Sequence, residues 1–250
     1  MATHTIYGAN CRPFVKERHS LPQEENLKTD ILMLESLCFA DFDFESYNHF
    51  LNEWAQLLLN AINLFKFGYF DCAYYSLRQA IELAIVVLYF HDVMKEPREE
   101  VLMRWANQQK FPGTSGILKE LKKLPKYLDL VEHLPNLFGD LSVFREKINK
   151  IVHKQGYFYL YVIQNHPLII PPMVQDEFIT NFEKDVQNTL KQMVIIRLMI
   201  DPIPLLLNDS TARLVRLYLS KPLPNSFVDK YLGNKFVLNY KQTELYKQYL

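Results

Sequence analysis

At 250 residues, with 49% apolar side chains, the chain can fill a substantial core and is not a disordered polymer. Formal net charge is +0, so no whole-molecule field draws it to nucleic acid or to an anionic membrane. Only 7 glycines are present and apolar residues recur at helical spacing, which excludes a Gly-rich β sandwich and predicts an all-α chain.

Residues 1–26 mix Pro, Asn, His and charge without periodicity and read as an N-terminal arm. A helical bundle is expected over 27–201. It starts with a short helix over Leu27 to Phe39 and a first long helix after Asp43, running from Phe50 through Trp54 and Leu58 to Phe65 and stopping at Gly68. Asp71 is placed to cap a second long helix in which Tyr74, Leu77, Ile81, Ile85 and Leu88 recur at three- and four-residue steps. Beyond Glu82 this helix is apolar on every side, so something must cover it all round.

A shorter helix follows Pro97, and Ser115 is the expected cap of the next, with Thr114 and Ser115 in a turn between Gly113 and Gly116. Ile117 to Leu124 and Tyr127 to Leu134, broken by Pro125 and Pro135, read as an insertion. Leu137 to Lys154 forms a third core helix closed by Gly156, and Asp176 to Ile200 a fourth, ended by Asp201-Pro202-Ile203-Pro204. Residues 202–250 are expected as short helical pieces. Their aromatic density, including Phe227, Tyr231, Tyr240 and Tyr246, suits docking on the bundle or on a protein partner.

Cys11, Cys38 and Cys72 are far apart and show no CxxC spacing, so a reducing, cytoplasmic setting is expected, without disulfides. The N-terminus does not read as a signal peptide, and the longest apolar run, Leu83 to Phe90, is far short of the roughly 20 residues a bilayer requires. No membrane partner is expected.

The segment LSVFREKINKIVH, Leu141 to His153, puts Arg145, Asn149 and His153 at four-residue steps on one helix. Arginine neutralises a phosphoryl group and histidine moves a proton near neutral pH, so the pattern points to phosphate chemistry. On a helical wheel Arg145 lies roughly 60° off the apolar stripe, Asn149 about 100° and His153 about 140°, which turns His153 toward solvent or a groove. Four bases against Glu146 between Arg145 and Lys154 make the segment locally basic, and Lys150 and Lys154 are candidate substrate contacts.

Arg78 and Glu82 share a face of the second helix and predict a half-buried ion pair; Arg78 is a further candidate substrate contact. Glu45, His49 and Glu53 also fall at four-residue steps. No Glu-x-x-His element accompanies them, so neither a metal nor another cofactor is expected.

Together, FGYFDCAYYSLRQAIELAIVVLYF (Phe67 to Phe90) and LSVFREKINKIVHKQG (Leu141 to Gly156) resemble the helical HEPN superfamily. The resemblance implies a four- to five-helix bundle, here with short helical additions at the C-terminus, that commonly forms a homodimer. Many similar proteins are metal-independent endoribonucleases of toxin-antitoxin or anti-phage systems; others are non-catalytic interaction or nucleic-acid-binding modules. Carried over, the catalytic pair is Arg145 and His153, with Asn149 beside them and RNA as substrate. Seven residues separate the two, a wider interval than the family's, and an acid, Glu146, follows the Arg.

Overall fold

The computed structural model describes residues 19–35, 45–92, 98–108, 111–155, 172–200, 202 and 225–248. Every regular element among them is a helix: α1 (Glu24–Glu35), α2 (Glu45–Lys66), α3 (Phe70–Asp92), α4 (Arg98–Ala106), α5 (Thr114–Leu121), α6 (Pro125–His133), α7 (Leu137–Val152), α8 (Pro172–Ile200), α9 (Asn225–Tyr240) and α10 (Glu244–Lys247). The all-α expectation holds, and no described helix is long and apolar enough to cross a membrane.

Helix α3 is the axle. Its buried positions include Ala73, Leu77, Ala80, Ile81, Ala84, Ile85, Val87, Leu88 and Phe90, which cover well over half of the circumference, so no single neighbour can cover it. Helices α2, α8, α7, α5 and α4 share the task, and alanines 80 and 84 on successive turns leave room for close approach. α2 and α3 form an antiparallel hairpin. Its turn is made by Gly68 at φ 80°, with the amides of Gly68 and Tyr69 donating to the carbonyls of Phe65 and Leu64, each at 2.9 Å. At the hairpin's closed end, Phe65 stacks on Phe182 of α8 with centroids 3.8 Å apart, and Phe70 meets Phe178 edge-on at 5.0 Å.

Several boundaries differ from the sequence expectation for local reasons. α1 begins at Glu24, inside the expected arm, because Glu24 and Glu25 place negative charge at its amino end and Lys28 and Lys66 both pair with Glu24. Asp71 lies within the first turn of α3 instead of capping it. Ser115 likewise lies inside α5, whose cap position is Gly113, without a side-chain cap. α7 ends at Val152 instead of Lys154, and Lys154 follows it left-handed at φ 52°; Gly156, the expected stop, lies outside the described residues. Asp43, Cys11 and Cys38 are also outside them.

Helices α5 and α6 are part of the core and not an insertion, since Ile117, Leu121, Tyr127 and Leu130 are completely buried. Asp92 at the end of α3 fixes α6: it accepts from His91 Nδ1 at 2.5 Å, from Lys126 Nζ at 2.9 and 3.0 Å, and from the Tyr127 hydroxyl. The C-terminal pieces also join the bundle, with Phe227, Tyr231, Tyr240 and Tyr246 buried. The Tyr240 hydroxyl donates to the Leu198 carbonyl at 2.8 Å, while Lys230 and the Tyr231 hydroxyl meet the buried Asp30 of α1. α9 breaks at Gly233, whose φ of 75° and ψ of 155° suit glycine alone.

Two outcomes test this packing. Phe65→Ala removes the stack on Phe182 and the tilted contacts with Phe70 and Phe178 and should cost roughly 3–5 kcal/mol, a fall of roughly 6–20 °C in thermal midpoint. The Asp92 pin should also show in pH dependence. Burial disfavours the Asp92 charge, but the His91 hydrogen bond, the charges of Lys126 and His91 and the Tyr127 hydroxyl outweigh it and hold the carboxyl below its ordinary range. A depressed carboxyl stabilises the fold above its unfolded value, and that contribution disappears as pH falls through the folded one. Asp92→Asn should therefore lose roughly 2–4 kcal/mol at pH 7 and show a shallower decline below about pH 4 than the parent in denaturant titrations.

Candidate functional site

The polar exceptions on α3 determine where chemistry can occur. Asp71, Tyr75, Arg78 and Glu82 recur at three- and four-residue steps, and this stripe runs beside the carboxyl end of α7. There the α7 backbone closes in a six-to-one pattern. The amides of His153, Lys154 and Gln155 donate to the carbonyls of Asn149, Ile151 and Lys150 at 2.9, 3.2 and 2.9 Å, with Lys154 left-handed. Lysine in this conformation is unfavourable by about 1–2 kcal/mol, and the Lys154 ammonium is held against Asp71 of α3.

His153 is the cap residue that this turn projects, and its side chain is exposed. Arg78 Nη1 lies 3.0 Å from His153 Nε2, and Arg78 Nε donates to Glu82 Oε1 at 2.9 Å. A guanidinium has no acceptor, so Nη1–H donates, Nε2 accepts and the ring proton sits on Nδ1. Glu82 thus positions Arg78, and Arg78 positions the imidazole. Asn149, one turn before His153, is half-buried, and its Oδ1 has no hydrogen-bond partner among the described residues.

Arg145 is elsewhere. Its Nη1 and Nη2 donate to Thr114 Oγ1 at 2.8 Å and Ser115 Oγ at 2.9 Å, binding the first turn of α5 to α7. His153 lies eight positions further along the chain, roughly 12 Å of rise. The two residues that the resemblance pairs are therefore not brought together. The arginine at His153 is Arg78, and the hydroxyls of Thr114 and Ser115 serve Arg145 instead of forming a turn.

The surrounding bases are paired as well. Lys150 bridges Glu146 at 2.8 Å, and that hydrogen bond holds the Glu146 carboxyl below its usual range. Lys147 meets Asp185, which also accepts from the Tyr74 hydroxyl at 3.2 Å. Burial pushes the Asp185 carboxyl up despite both donors. From Lys147 to Lys154 the bases are thus ion-paired across α3, α7 and α8, and Arg145 is held by hydroxyls of α5, so the run is not an open cationic patch.

Among the described residues no cluster of three or more His, Cys, Asp or Glu side chains is arranged to hold a metal. His49 and Glu53 line a groove between α2, α3 and α4, whereas the Glu45 side chain is outside the description. Comparison with family models, with curated proteins and with solved structures finds no match for the chain.

The two arginines should separate experimentally. Arg78→Met should change the His153 ring nitrogen shifts and release its tautomer, measured by 15N NMR. Arg145→Met should leave those shifts unchanged and lower stability by about 1–3 kcal/mol through loss of its two hydrogen bonds.

Proposed function

We propose that the chain is a HEPN-like, metal-independent endoribonuclease whose reacting pair is His153 and Arg78, with Asn149 beside them. The observation that carries this reading is the 3.0 Å contact between Arg78 Nη1 and His153 Nε2 at an exposed helix end, with Arg78 held from behind by Glu82. An RNA phosphate arriving here competes for the guanidinium and frees Nε2. The imidazole then takes the proton of the adjacent 2'-hydroxyl, and the 2'-oxygen attacks phosphorus. Arg78 offsets the charge that builds on the non-bridging oxygens. The bond to the 5'-oxygen breaks, the imidazolium returns the proton to that oxygen, and the products are a 2',3'-cyclic phosphate and a 5'-hydroxyl. Every step uses these side chains and therefore proceeds in EDTA.

Lys150 and Lys154 are second-rank phosphate contacts in this scheme, because each must leave its acid, Glu146 or Asp71, to reach the backbone. Arg145 contributes to the scaffold that holds α7. A homodimer that turns the exposed His153 face toward a second subunit would close the site, and a cytoplasmic toxin-antitoxin or anti-phage role follows from the resemblance. The second reading is a non-catalytic RNA- or protein-binding module of the same fold, favoured by the pairing of nearly every base around the site with an acid.

RNA incubated with purified protein in EDTA decides between them. Cleavage by the parent, lowered at least about 100-fold by His153→Ala and strongly by Arg78→Met, is the expected result. Absent cleavage, or cleavage equal in parent and His153→Ala, contradicts the proposal.

A further inference from the structure

Among the described residues, the hairpin of α2 and α3 is not covered along its whole length. Between these helices and α4 lies an open groove of about 820 Å³. Its lining positions recur at helical spacing on both walls: Phe50, Glu53 and Leu57 on α2, and Gln79, Glu82, Leu83 and Val86 on α3. Each helix therefore presents one uncovered stripe for about two turns, the kind of seam into which the ridge of a third helix packs. Met103 is 59% exposed and Trp105 38% exposed, and both face this space from α4. Methionine and aromatic side chains together make an adaptable apolar floor.

Charge narrows the occupant. Glu53 and Glu82 stand nearly equidistant from Gly68 on the two antiparallel arms, which puts them at about the same level on opposite walls. No lysine or arginine lines the groove among the described residues, and Glu53 has no cationic partner among them. We propose that this groove docks an amphipathic helix of a partner protein, its apolar stripe on Leu83, Val86, Met103 and Trp105, and a basic residue beside Glu53, Glu82 being held by Arg78. The site is separate from the His153 end of α7, although Glu82 touches both, so the proposal does not depend on RNA cleavage.

The chain carries its own reporter, because Trp54 is fully buried while Trp105 faces the groove. A synthetic amphipathic helix of leucine and lysine should shift Trp105 emission to the blue and saturate, whereas the same helix with glutamate for lysine should bind at least tenfold more weakly. Glu53→Lys should invert that preference, Met103→Lys should abolish binding of the lysine peptide, and Trp105→Phe should remove the signal. Circular dichroism confirms that each variant is folded. Equal binding of the two peptides, or indifference to Glu53→Lys and Met103→Lys, overturns the proposal. So does sedimentation showing that Met103→Lys converts a dimer to a monomer while peptide binding is absent, since the occupant is then a second copy.

Discussion

Everything in this bundle follows from one helix that cannot be left in water. From Leu83 to Phe90, α3 is apolar on every side, and burying most of such a cylinder requires several neighbours around it. Helices α2, α8, α7, α5 and α4 supply them, and the remaining helices brace these neighbours in turn, α1 and α9 on α8 and α6 and α10 beyond α7. The few polar side chains on α3 become fixed points of the design. Tyr74 reaches Asp185, Asp71 reaches Lys154, and Arg78 reaches both Glu82 and His153. The candidate site and the groove both lie where the described residues leave α3 partly open: at the carboxyl end of α7 and along the α2–α3 seam.

Zero net charge has a structural meaning here. Buried or half-buried acids tie together segments distant in sequence: Asp30 with Lys230 and Tyr231, Asp92 with Lys126 and Tyr127, Asp185 with Lys147 and Tyr74. Removing one partner of such a group leaves a buried charge uncompensated, so each acts as a constraint on which segments meet even where its net contribution to stability is small. The same pairing limits what the α7 face offers to a polyanion. A phosphate must compete with Asp71, Glu146 and Glu82 for its cations, which favours a localised contact at Arg78 over broad electrostatic capture.

The long helices were legible because burial imposes its period directly on the apolar residues, and α2, α3, α7 and α8 fall close to where that period put them. Their ends were less legible. Asp71 and Ser115 are good capping residues by type, yet Lys154 and Arg145 engage them from other helices, which no local rule anticipates. The site was half legible. Helical-wheel reasoning extended to His153, but His153 lies one residue past α7, where the chain has begun to turn back under a left-handed lysine, so its wheel angle no longer gives its direction. Arg78 and His153 are 75 residues apart and meet only because α3 is covered by α7, a fact of packing and not of spacing. The pair of Arg78 with Glu82 was visible as a four-residue step, and it is this pair that carries the arginine to the histidine.

The central claim is that His153 works with Arg78 and that Arg145 belongs to the scaffold. A double-mutant cycle on kcat/KM for RNA cleavage in EDTA tests it most directly, using Arg78→Met and Arg145→Met, each alone and combined with His153→Ala. The account predicts strong non-additivity for Arg78 with His153 and near-additive losses for Arg145 with His153. Additive losses for Arg78, with the coupling found instead between Arg145 and His153, would contradict it.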